Sequence, residues 1–126
     1  MRRYGEILLI SDLPILHLRN LRNLRMYTEL HSRTAFSFLR GGSRPEELAA
    51  IAASHGLAAV AVCDRDGVYG SPLFTQSAKE KGIRPIVGAE VTLEDESVLP
   101  VLVANRRGYQ NLCQLLTRAH LRAEKG

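Results

Sequence analysis

Several protein classes are excluded by what this sequence lacks. Its two cysteines, Cys63 and Cys113, form no CxxC pair and lie in apolar surroundings. They read as reduced, buried, cytosolic thiols rather than as a disulfide or a thiolate metal site. The apolar run nearest the amino terminus, residues 7–10, is cut short by Ser11, Asp12 and Pro14, whereas a spanning helix takes about 20 apolar residues. No small-residue cleavage site follows it, so it is not a secretory signal. Neither GxGxxG nor a Walker loop is present, and no spacing suggests a Ser/His/Asp or Cys/His nucleophile.

What remains is the profile of one folded soluble domain: 126 residues, 45% hydrophobic and 24% charged. The formal charge of +4 is unevenly spread, since residues 1–25 hold five arginines against Glu6 and Asp12 and account for +3 of it. Within that leader, leucines at 18, 21 and 24 alternate with arginines at 19, 22 and 25, a spacing that can form an apolar and a basic helix stripe. Such a segment could be a membrane-surface or nucleic-acid arm. The preferred reading is an upstream extension without a role, since a more orderly pattern begins at Met26.

From there, short apolar segments alternate with helical ones. "LAAVAVC" (57–63), "PIVGAEV" (85–91) and "VLPVLVA" (98–104) read as buried strands, and Tyr27–His31 as a shorter one. Ser43 is the expected N-cap of a helix with Pro45 in its first turn, Leu48, Ile51 and Ala52 on its apolar face and Gly56 as its stop. A second helix repeats this grammar from Ser71 and Pro72 to Gly82. A final helix is expected within "RRGYQNLCQLLTRAHL". Strands joined by crossover helices imply a parallel sheet and α/β architecture, in which reactive groups collect at the carboxyl ends of the strands.

Three expected strand ends carry polar residues: His31, then Asp64 with Arg65 and Asp66, then Glu90. Other signals have plainer readings. His55 sits at a helix end, where an imidazole caps carbonyls and suits the dipole. His17 and His120 are expected on the surface, and "GVYG" (67–70) reads as a turn before a helix rather than a phosphate cradle. Phe36, Phe38 and Leu39 are expected to pack in the core or at a barrel mouth, not to stack on bases.

The stretch "ELHSRTAFSFLRGGSRPEELAAIAASHGLAAVAVCDRDGVYG", then "GIRPIVGAEV" and "RRGYQNLCQLLTRAHL", resembles the amino-terminal PHP (polymerase and histidinol phosphatase) domain of bacterial C-family DNA polymerases, particularly the error-prone alpha subunits. The resemblance runs from about Met26 to the end, so residues 26–126 would be the amino-terminal portion of such a domain. It implies a partial distorted β/α barrel made of the first three to four of seven strands, with their helices. It also implies a metal site at the strand ends. On this correspondence His31, Asp64 and Glu90 match ligand positions, while Arg33 and Arg65 stand where the family has histidines.

Arginine stays protonated and offers no lone pair, so a degenerate site is expected, with Arg33 and Arg65 pairing with Asp64 or Glu90 in place of an ion. No cofactor is then required, and zinc or manganese would enter only if His31, Asp64 and Glu90 still act together. The resemblance implies a structural, non-catalytic part of a cytoplasmic polymerase in damage-tolerant DNA synthesis. Its partners would be the remainder of the alpha subunit and, through it, DNA, with no membrane and with self-association possible at exposed sheet edges. The alternatives are a metal-dependent phosphoesterase or 3'-5' exonuclease of the same superfamily, and a truncated stand-alone binding module.

Overall fold

The computed structural model describes residues 27–123; the leader with its leucine and arginine stripes, and His17, lie outside the described residues. Seven elements succeed one another along the chain: β1 (Glu29–Ser32), α1 (Pro45–Ser54), β2 (Ala59–Arg65), α2 (Ser71–Glu80), β3 (Arg84–Thr92), β4 (Val98–Leu102) and α3 (Arg106–Arg122). The order matches the sequence-based expectation, while the boundaries shift by up to two residues. The caps of the first two helices also differ. Arg44, not Ser43, is the N-cap of α1, and Glu47 reaches back to it, its Oε2 accepting from the Arg44 backbone N–H at 2.9 Å and its Oε1 from Arg44 Nε at 3.2 Å. Gly70 caps α2 and Ser71 is already helical. Gly56 and Gly82 do stop these helices, both with positive φ, 68° and 72°.

The strands form one sheet in the order β1-β2-β3-β4. β1, β2 and β3 are parallel, but β3 and β4 are antiparallel, because only the short turn 93–97 joins them and no crossover helix intervenes. Alternation along the strands then sorts residues by face. Val60 and Val62 of β2 pack with Ala49, Ala52, Phe74 and Ala78 of α1 and α2. Ala89 and Val91 of β3 pack with Leu112 and Leu116 of α3. The register sets Val62 against Val87 and Asp64 against Ala89, so these residues share the helix-covered face. The opposite face carries Ala61, Cys63 and Arg65 beside Ile86, Gly88 and Glu90. The result is a mixed half-barrel with its helices on the outside.

Other expectations need correcting. Ile51 is half exposed, and the buried stripe of α1 runs through Pro45, Ala49 and Ala52. Cys63 is fully buried, but Cys113 is only partly so. β4 is not a buried strand, since four of its five residues are exposed. Phe36, Phe38 and Leu39 are exposed as well, on the loop after β1 rather than in a core.

β4 has a further feature. The Val103 N–H donates to the Val87 carbonyl at 2.8 Å, and the antiparallel register continues through Ala89–Val101 and Val91–Leu99. Backbone groups of residues 99, 101 and 103 therefore point toward β3, and those of 98, 100 and 102 toward the free edge. Pro100 falls in the middle of that edge, where it contributes no N–H donor.

At Gly88 a Cβ would lie 2.6 Å from Cys63 Sγ and 2.6 Å from the Val101 carbonyl oxygen, so only glycine lets β3 pass between its neighbours. Gly88→Ala should lower the unfolding free energy by about 1–3 kcal/mol through overpacking, measured by urea denaturation. An unchanged midpoint would mean that the β3–β4 pair separates easily.

Candidate functional site

The expected meeting of three strand ends divides into two clusters on opposite faces of the sheet. On the open face, Glu90 is fully buried near the end of β3. Its Oε1 accepts from His31 Nε2 at 2.5 Å and from Arg33 Nε at 2.6 Å, and Arg33 Nη2 contacts the same oxygen. Burial pushes the Glu90 carboxyl up, but hydrogen bonds and charge from Arg33 and His31 outweigh it, and the net effect holds the carboxyl below its ordinary value. Oε2 is buried without a hydrogen-bond partner among the described residues. His31 and Arg33 are brought to Glu90 because, two apart at the end of β1, they project to the same side.

Asp64 lies on the helix side of β2 and is fully buried. Oδ1 accepts from the Thr34 backbone N–H at 2.9 Å, from Thr34 Oγ1 at 2.9 Å and from Ser37 Oγ at 2.7 Å. Oδ2 lies 2.9 Å from Thr34 Oγ1 and accepts from the Gly70 backbone N–H at 2.9 Å. The carboxylate therefore occupies the amino end of α2, where the helix dipole favours a negative charge. The turn at "GVYG" presents its N–H to this side chain. A Cβ at Gly70 would lie 2.6 Å from Thr34 Oγ1 and 2.7 Å from Asp64 Oδ2, so only glycine admits the contact.

Arg65 departs from expectation, pairing with neither Asp64 nor Glu90. Its Nε donates to Thr92 Oγ1 at 2.7 Å and lies 3.5 Å from Asp66 Oδ2. Asp66, at a positive φ of 50°, accepts through its side chain from the Thr92 N–H and Oγ1, each at 2.7 Å. His120 is exposed, as expected, yet its Nε2 donates to the Asp66 carbonyl at 2.7 Å and ties α3 to the loop after β2. His55 caps α1, with Nδ1 donating to the Ile51 carbonyl at 2.9 Å.

Thr34, Ser37 and Thr92 were not singled out from sequence. The available signal was in "RTAFSF", where Thr34 and Ser37 are the polar members of an apolar stretch, three residues apart and thus able to face one side of a tight turn. Cys63 lies beneath the open face. Burial first, then the charges of Glu90 and Asp64, push its thiol up to about 11, which keeps it protonated at neutral pH. Among the described residues, no group of three or more His, Cys, Asp and Glu side chains is arranged to hold a metal ion. None of the described helices is long and apolar enough to cross a membrane.

The mixed half-barrel is a fold shared with PHP-like phosphoesterase and amidohydrolase structures. One such neighbour is a Bifidobacterium adolescentis protein named provisionally as a metal-dependent phosphoesterase, with a TM-score of 0.52 and 24% identity over 69% of this chain and 32% of that one. Another is an amidohydrolase from Chromobacterium violaceum, with bound sulfate and no metal, at a TM-score of 0.52 and 22% identity over the same shares. At such identities the likeness concerns the fold alone.

The chain belongs to the PHP domain family, whose profile matches residues 29–125. Among curated proteins it is similar to the error-prone DNA polymerase of Symbiobacterium thermophilum, 46% identical over 98 residues, covering 78% of this chain and 9% of that protein. It is also similar to the error-prone DNA polymerase of Dechloromonas aromatica, 47% identical over 104 residues, covering 82% of this chain and 10% of that protein. The chain thus spans about a tenth of the length of these relatives.

Two substitutions probe the clusters. Asp64→Asn replaces an acceptor with an amide that must face donors, and should lower stability by about 2–4 kcal/mol in urea denaturation; a loss below about 1 kcal/mol would mean the cluster rearranges freely. Glu90→Gln should be less stable than the parent by about 2 kcal/mol near pH 7. Because the folded Glu90 carboxyl is held below its ordinary 4.5, its contribution is present above that value and is lost as pH falls through the folded value. The gap between the two proteins should therefore close as pH falls below that ordinary value; a pH-independent gap would exclude the ion pair as its source.

Proposed function

We propose that residues 26–126 form the amino-terminal portion of the PHP domain of an error-prone DNA polymerase, and that this portion is structural rather than catalytic. The observation that carries the non-catalytic reading is the Arg33 guanidinium on Glu90. Its Nε and Nη2 both lie against the carboxylate oxygen that also accepts from His31. A permanent cation there does electrostatically what a divalent ion would do, gathering the ends of β1 and β3 around a buried carboxylate. It also repels any incoming metal. Asp64 has both oxygens occupied by donors on the other face of the sheet, so it is poorly placed to complete a ligand set with His31 and Glu90.

In this reading nucleotide addition, its role in damage-tolerant replication and repair, and contact with DNA belong to other parts of the polymerase, in the cytoplasm. The similarity to error-prone DNA polymerases over 78% and 82% of the chain supports that assignment. One observation favours a metal-dependent phosphoesterase instead: Glu90 Oε2, buried beside His31 and without a partner among the described residues, is an acceptor that a cation could use.

Metal content separates the two readings. After dialysis the protein should retain well under one equivalent of zinc or manganese and should not hydrolyse single-stranded DNA. Arg33→His should raise retained zinc, whereas Arg65→His should not, because Arg65 turns toward Asp66 and Thr92. A full equivalent in the unaltered protein, lost together with hydrolysis in His31→Ala, would establish the phosphoesterase reading.

A further inference from the structure

We draw no further inference here: the strongest candidate, the groove of about 340 Å³ between the loop after β2 and α3, lined by Tyr69, Pro72, Cys113, Leu116 and His120, lies in a chain that spans only about a tenth of its relatives' length, and nothing in the structure shows what covers it.

Discussion

A carboxylate shut away from water must be met by donors from every side, and that requirement at Asp64 organises half of this domain. Its oxygens gather Thr34 and Ser37 from the loop after β1 and Gly70 from the start of α2. The loop after β1 and the start of α2 are thereby both fixed to the end of one strand. The loop can turn its apolar residues outward only because its hydroxyls are held inward, and α2 can begin where it does only because an anion meets its first free N–H. The requirement is strict, since an unmet buried charge costs far more than an ordinary hydrogen bond contributes.

Glu90 solves the same problem on the opposite face by different means. The partly exposed side chains of His31 and Arg33 meet one of its oxygens, and the other oxygen lacks a partner among the described residues. One carboxylate is thus neutralised by dipoles and the other by charge. The first arrangement belongs to a permanent structural joint. The second has the form of a site whose electrostatic work has passed from an ion to a side chain, in keeping with the non-catalytic role proposed for it.

Much of this could be read from the sequence, for identifiable reasons. Element order came from apolar runs punctuated by Pro45, Gly56, Pro72 and Gly82, because those residues act locally. The parallel pairing of the first strands came from their crossover helices. Where a side chain's fate depends on which face of a strand it occupies, local pattern was not enough. Asp64 and Glu90 looked alike as polar residues at strand ends, but the register places them on opposite faces, so the single convergent cluster became two. Arg65 had two carboxylates in plausible reach and took neither, turning instead to Thr92 and Asp66. Phe36, Phe38 and Leu39 read as core or barrel-mouth packing because apolar residues usually are buried; hydroxyl-to-carboxylate bonds over 27 to 30 residues of separation keep them out of the core.

The proline in the edge strand bears on how the chain fares before it is fully folded. A row of free N–H and C=O groups is a template on which a second extended chain can grow, and β4 is otherwise suited to it, being apolar and exposed. With Pro100 at the centre of the outward row, the template is missing its middle rung. Another strand can approach but cannot zip along the full edge, and the ring adds steric bulk where a flat neighbour would lie. A ribosome that has just released β4 therefore exposes a surface that resists cross-β growth, which protects the nascent domain from aggregating while its remaining contacts are still to form.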